Sequence, residues 1–133
     1  MNVFVDSSVL CAYMNVQDVH NKKAVSIMKD LFSDKDCIIV INDYVFDEIM
    51  AVTTRRTSKK NALKLGEYLT SSEIYLMSVN DTIFRTAWKY FHGQWNFSFT
   101  DCIILAFMRI FGITKIATFD KEFEKVKDIE IIN

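Results

Sequence analysis

The chain has 133 residues, half of them hydrophobic, and a formal net charge of −1. That length predicts one domain, residues 1–133, with its own core, and the balance of charge excludes a chain that grips polyanions by bulk attraction, so nucleic-acid contacts must come from a local basic patch. No apolar stretch reaches the ~20 residues of a membrane span, and no basic lead-in precedes the first apolar run as in a secretory signal.

Asn2 to Val5 reads as a short buried strand, and Ser7 to Tyr13 as a short helix capped by Ser7 or Ser8. Val19 to Phe32 carries apolar residues at a helical period. Cys37 to Ile41 is a continuous β-branched run and predicts a second buried strand. Asn42 or Asp43 caps the next helix, which runs to about Thr54, and Ser58 to Leu69 forms another. A short strand follows at Ile74 to Met77, then a helix from Thr82 to Phe91 that stops near Gly93. Phe99 to Phe111 is a helix closed by Gly112, Ile113 to Thr118 a strand, Lys121 to Val126 a short helix, and Ile129 to Ile132 a final strand. Strands alternating with helices predict a parallel sheet of four or five strands covered on both faces, a three-layer α/β/α sandwich. Proline is absent, and no linker or repeat suggests a second domain. Cys11, Cys37 and Cys102 fit neither a disulfide framework nor a Cys-x-x-Cys zinc site, so buried, reduced thiols in a cytoplasmic protein are expected.

Asp6, Glu48, Asp101 and Asp120 each sit where a hydrophobic element meets its neighbour. Desolvating a lone carboxylate costs several kcal/mol or shifts its pKa, so such positions call for a partner. Ligands of open parallel sheets bind beyond the carboxyl ends of the strands, where Asp6 and Asp120 stand. Each acid also has a simpler explanation. Asp6 and Asp120 could cap the helices that follow them, and Ser98-Phe99-Thr100-Asp101 has the form of a capping box. Glu48 could be a partly exposed residue, although its neighbours Val45, Ile49 and Val52 set it beside the inward helix face, with Asp47 turned about 100° away. An acid opening a helix as apolar as Cys102 to Met108 still reads as the wall of a site.

Weaker candidates surround these four. Ser7, Thr100 and Thr118 put hydroxyls beside the acids. Arg55, Arg56, Lys59 and Lys60 form a basic run that is either a solvated helix junction or a holder of phosphates beside an acidic site. His20 and His92 have no ligand-spaced partner, which disfavours zinc. Trp88, Trp95 and Phe97 are expected in the core or at a subunit contact, and the apolar helices around 44–69 as core or dimer faces.

Taken in order, these segments make the chain resemble the PIN-domain ribonucleases, especially the short VapC-type toxins of toxin–antitoxin pairs. Val3-Phe4-Val5-Asp6-Ser7-Ser8 is similar to the family's opening strand and acid. Phe46-Asp47-Glu48-Ile49, Phe99-Thr100-Asp101-Cys102 and Ala117-Thr118-Phe119-Asp120 are similar to its later acidic segments. His20 and Ala24 fit a first-helix pattern that gives His20 a structural role. The chain departs from the pattern at Phe119, where a basic residue is common. The resemblance implies a compact α/β/α fold, Mg²⁺ or Mn²⁺ at the acids, RNA phosphodiester hydrolysis, a homodimer and a small antitoxin partner. It carries metal-site roles over to Asp6, Glu48, Asp101 and Asp120, with Thr118 as a supporting hydroxyl.

Hard cations prefer oxygen donors, and an ion held here would acidify the attacking water and offset phosphate charge. Asp6 and Asp101 are expected to bind the principal ion directly, with Glu48 and Asp120 acting through water or on a second ion. Three other readings compete: a phosphatase with Asp6 as nucleophile, weakened by Ser8 where a second Asp is usual; a protein-binding module with a vestigial acidic pocket; and a PIN-fold nuclease of RNA maturation.

Overall fold

A computed structural model of the protein describes residues 1–93 and 96–133. Trp95 lies outside the described residues. The elements, in chain order, are β1 (Asn2–Val5), α1 (Ser7–Met14), α2 (Asn21–Ser33), β2 (Ile38–Asn42), α3 (Asp43–Arg56), α4 (Lys59–Ser71), β3 (Tyr75–Met77), α5 (Asp81–Phe91), α6 (Phe99–Ile110), β4 (Lys115–Ala117), a 3-10 helix (Lys121–Lys125) and β5 (Glu130–Ile132).

Among the described residues five strands form one sheet in the order β3-β2-β1-β4-β5, every neighbouring pair parallel. The chain winds outward from β1 through β2 to β3, then returns to the other side of β1 for β4 and β5. Right-handed crossovers place the helices of those two windings on opposite faces, giving the expected three layers. Helices α1 to α4 accordingly pack among themselves, and α5 packs on α6. The order also makes β1 the central strand and puts the switch in winding direction between the carboxyl ends of β1 and β4, where ligands of such sheets bind.

The central strands are the most deeply buried, with Val3, Phe4, Val5, Ile39, Val40, Ile41, Ile116 and Ala117 all in the core. Their continuous apolar character reflects helices on both faces. β3 departs from that expectation: Tyr75 and Leu76 are exposed, because the strand lies at the sheet edge. On the opposite face α6 is buried all round from Cys102 to Met108, and Phe107 meets Phe4 edge-on at 5.5 Å. Of the three thiols only Cys102 is buried; Cys11 and Cys37 are half-buried, and all three are free. Phe97 is in the core, whereas Trp88 is exposed and joins Phe84 and Phe91 in an apolar face along α5. No helix among the described residues is long and apolar enough to cross a membrane.

Two helix starts differ from the periodicity. α2 begins at Asn21 rather than Val19, because the Asp18 carboxylate accepts the His20 amide at 2.8 Å and holds residues 18–21 in a turn. α1 is capped by Asp6 rather than by either serine. The serine hydroxyls are drawn elsewhere, as described below.

Gly112 ends α6 with φ at +67°, its amide reaching the Arg109 carbonyl while the Ile113 amide reaches that of Met108. This is a Schellman closure, which favours glycine at the left-handed position. No atom lies within 4 Å of where a Cβ would stand, so only the backbone resists a side chain. We expect Gly112→Ala to lower stability by about 1 kcal/mol. Urea unfolding would measure it, and an unchanged midpoint would show that the turn adopts another conformation.

Candidate functional site

Three strands lead from an apolar run into a polar residue, Asn42 at the end of β2 and Asp6 and Thr118 just past β1 and β4. The register pairs Phe4 with Val40 and Val5 with Ala117, so the next row across the sheet holds Asn42, Asp6 and Thr118. These are the three buried polar residues among those described. The parallel sheet thus gathers its buried polarity at one edge, the carboxyl edge of β2, β1 and β4.

Asp6 is 4% exposed and anchors the row. Its Oδ1 accepts the Ser7 amide at 2.8 Å. Its Oδ2 accepts the hydroxyls of Thr118 at 2.8 Å and Ser8 at 3.0 Å. Thr118 Oγ1 in turn accepts the Asp120 amide at 3.0 Å, and Ser8 Oγ accepts the Phe119 amide at 3.1 Å. Each hydroxyl has one proton, so these bonds fix both as donors toward Asp6. Ser7 Oγ donates to Glu48 Oε2 at 2.8 Å, and its 3.4 Å approach to Asp6 Oδ1 therefore brings no second proton. Asp6 Oδ2 is saturated, while Oδ1 keeps a lone pair open on the side of Glu48.

The other acids arrive from separate elements. Glu48 is half-buried on the second turn of α3, with Asp47 turned to solvent. Asp101 opens α6 in a true capping box: Ser98 Oγ accepts the Asp101 amide at 3.1 Å, and Asp101 Oδ2 accepts the Ser98 amide at 3.2 Å. Asp120 caps the 3-10 helix through the Glu122 amide at 2.9 Å. The capping explanation therefore holds locally for Asp6, Asp101 and Asp120. It does not exhaust them, because caps are ordinarily solvated and these carboxylates feel one another.

Burial raises the pKa of Asp6 above its ordinary value against the pull of its three donors, and the Asp120 charge adds to the rise. Burial, then the charges of Asp6 and Asp120, push Asp101 up to about 6 despite its bonds to Ser98. Burial also raises Glu48, opposed by the Ser7 hydroxyl and reinforced by Asp6 and Asp47. Asp6 acts on both Asp101 and Glu48, so the four acids expected from the sequence share one electrostatic environment.

Among the described residues no lysine or arginine pairs with these acids. Among the described residues, no three acidic, histidine or cysteine side chains stand close enough together to hold one ion. The donor chemistry nonetheless fits a hard divalent cation: every donor is a carboxylate oxygen, and the mutual repulsion is what a positive charge would relieve. Mg²⁺ commonly takes only one or two carboxylates and fills its octahedron with water, so a site of this openness suits it.

Other expected residues fall in different places. Arg55, Arg56, Lys59 and Lys60 straddle the α3–α4 junction and are all exposed. They do not form one patch: Arg56 lines a cavity between α1, α3 and α4, whereas Lys59 lines another on the far side of the α3–α4 pair. His20 packs its ring on Phe119 at 5.0 Å, a structural contact that ties the start of α2 to the loop after β4. Two contributors escaped the sequence reading in these roles. Ser8 was visible only as a possible cap, and Asn42 as a cap that it indeed is, through the Val45 amide at 2.9 Å. The signal for Asn42 was a polar residue ending an apolar strand, as Asp6 and Thr118 do.

The sequence model of the PIN domain matches residues 3–129. "Ribonuclease VapC6" of Methanocaldococcus jannaschii is 28% identical, the match covering 98% of this chain and 96% of that protein. "23S rRNA-specific endonuclease VapC20" of Mycobacterium tuberculosis is 25% identical, with 97% of each covered. The crystal structure of that species' VapC20, described as a sarcin-ricin loop cleaving toxin, superposes with a TM-score of 0.83 over 96% of this chain and 97% of that one. VapBC2 of Rickettsia felis, at 14% identity and a TM-score of 0.72, shares the fold over 100% of this chain and 98% of its own.

The crowding of acids has a consequence for stability. With Asp101 titrating near 6 when folded and near 3.8 when unfolded, the folded state holds its proton more tightly, so stability falls as pH rises between those values. Asp101→Asn, which can still accept the Ser98 amide, escapes that loss. In metal-free buffer its thermal midpoint should gain on the wild type from about pH 4 to about pH 6 and keep the lead above. A lead that does not change with pH would mean that Asp101 is not destabilised by its neighbours.

Proposed function

The chain belongs to the PIN-domain family, and from that premise we propose that it is a metal-dependent endoribonuclease, the toxin of a toxin–antitoxin pair, hydrolysing RNA phosphodiester bonds. PIN-domain nucleases in general depend on a metal ion. The observation that carries the reading is the electrostatic coupling of Asp6, Asp101 and Glu48 at the carboxyl edge of the sheet, with the Asp120 charge acting on two of them. The activity named for the similar VapC6 and VapC20 supports it.

In this proposal Asp6 and Asp101 hold the principal ion, Mg²⁺ or Mn²⁺. When bound, the ion supplies an acidified water as nucleophile and offsets charge on the phosphate. Asp6 offers its open Oδ1 while Ser8 and Thr118 keep Oδ2 engaged and the carboxylate oriented. Such outer partners fix a ligand's direction and basicity. Glu48 and Asp120 would act through water or on a second ion, with Ser7 aligning Glu48. Arg56 is the member of the basic run best placed to meet substrate phosphate, since it lines the cavity between α1, α3 and α4 beside Cys11, whose thiol also feels the Glu48 charge.

The same bonds disfavour an aspartyl phosphatase. A nucleophilic Asp6 would need an oxygen exposed to a phosphorus atom approaching in line, whereas the residue is 4% exposed and its Oδ2 already accepts two hydroxyls. The proposal further includes residues 1–133 as one domain, a cytoplasmic setting, which the free thiols support, and a small antitoxin partner, supported by the similarity to VapC20, a sarcin-ricin loop cleaving toxin. It includes a homodimer, supported by the exposed apolar face of Phe84, Trp88 and Phe91 rather than by the helices around 44–69.

The test is cleavage of a pool of small structured RNAs with Mn²⁺, with Mg²⁺ and with chelator. Wild-type cleavage should require the ion, Asp101→Asn should abolish it, and Thr118→Val should lower it by about 10- to 100-fold. Turnover that survives in Asp101→Asn would refute the assignment of Asp101. Failure of the wild type to cleave or to bind Mn²⁺ would favour a binding module with a vestigial site.

A further inference from the structure

Helices α1 and α3 pack side by side and lead away from the acids. Ser7 on α1 donates to Glu48 on α3 at their upper end. One turn further along each helix stand Cys11 and Val52, and a second turn along α3 brings Arg56, about 12 Å from Glu48 along the axis. Cys11, Val52 and Arg56 all line the cavity of about 230 Å³ that α4 closes from the side. The cavity thus lies one helical turn from the acids, near enough that the Glu48 and Asp6 charges both act on the Cys11 thiol in its wall.

Its lining divides by chemistry. Val52 and the buried Leu65 make an apolar wall. Arg56 and Lys64 approach from α3 and α4, both exposed, and neither is in an ion pair among the described residues. Asn61 and Asn15 bring amides with unspent capacity: the Asn15 carbonyl oxygen accepts the Gln17 amide, but neither side chain donates a hydrogen bond among the described residues. Asp18 adds one carboxylate at the rim, where it is tied to the His20 amide. An apolar wall, amide edges and two unpaired cations in one small recess match the parts of a nucleotide. The volume lies below the roughly 300–1,000 Å³ of drug-sized pockets and suits a single ring system, not a docked helix.

We propose that this cavity is a nucleotide subsite, taking one unstacked base of a single-stranded RNA segment beside the cleaved bond, with its flanking phosphates on Arg56 and Lys64. The inference rests on the nuclease reading for the identity of the strand. Sequence-specific recognition of RNA acts largely on unstacked bases in loops and bulges, because the deep groove of a paired helix is closed to side chains. Here Asn61 and Asn15 read the base edge, and Val52 and Leu65 cover its face. The enzyme would accordingly prefer loops or single strands to duplex.

Binding in EDTA tests this apart from catalysis. Fluorescence anisotropy would follow two labelled single-stranded hexamers, a random-sequence RNA and an abasic ribose-phosphate chain. The double variant Arg56→Gln/Lys64→Gln should bind the RNA about tenfold more weakly and lose about 1.4 from the slope of log affinity against log salt, two phosphate contacts' worth. Arg85→Gln, in an exposed pair with Asp81 on α5, should leave both unchanged. Wild type should prefer the RNA to the abasic chain, and Asn61→Ala should erase most of that preference. Wild-type affinity in the double variant would overturn the phosphate contacts, and equal binding of the two hexamers would overturn the base pocket. Tighter capture of an acidic peptide than of either hexamer would assign the cavity to a protein partner and refute the proposal. Hexamer binding as expected from a protein that never cleaves RNA with Mn²⁺ would sink the nuclease reading alone; cleavage with no effect of these variants on binding would sink the subsite alone.

Discussion

A carboxylate buried at the end of the central strand is the constraint on which the rest of the structure turns. An ionised Asp6 at 4% exposure would cost several kcal/mol without compensation. The compensation is assembled from two distant stretches. Ser7 and Ser8 come with the turn into α1, and Thr118 comes with β4, which lies beside β1 only because the chain crosses back over the sheet after β3. A different strand order would leave Asp6 buried with fewer donors. Strand order and acid site are in that sense one requirement.

The hydroxyls settle orientation but not charge. Asp6, Asp101 and Glu48 are all raised by burial and by neighbouring carboxylates, and no cation among the described residues offsets them. A protein optimised for stability alone would exchange one of these acids for an amide. Retained repulsion at the strand ends is the pattern of a site that gives up stability to bind a positive ion. The capping bonds at Asp101 and Asp120 serve both ends: they hold each acid in place through the backbone and tie its direction to a helix start.

Away from the acids, basic side chains enter. The faces of α1 and α3 that carry Ser7 and Glu48 at one end carry Cys11, Val52 and Arg56 further along, and Lys64 joins from α4. The Cys11 thiol registers the transition: burial first, then the Glu48 charge, push it up to about 11, while Arg56 pulls the other way. A polyanion lying along these helices would be repelled by the acids and drawn by Arg56 and Lys64.

Local sequence determined what local physics controls. Apolar runs fixed the buried strands, the 3.6-residue period fixed the helices, and Gly112 and Ser98 fixed the two ends of α6. The four acids were legible because each interrupts an apolar pattern, and Glu48 was separable from Asp47 by helix geometry alone. Exposure of β3 was not legible, since edge and centre differ in their neighbours rather than in composition. Nor was the splitting of the basic run, because Arg56 and Lys59 face opposite grooves only once α4 folds back on α3. Ser8 as a donor to Asp6 and Asn42 as part of the buried polar row depended on pairings across the sheet, and Thr118 reaches Asp6 over 112 positions of sequence. A period or a cap is decided by interactions within a few residues, but a hydrogen bond between strand ends exists only after the topology has made them neighbours.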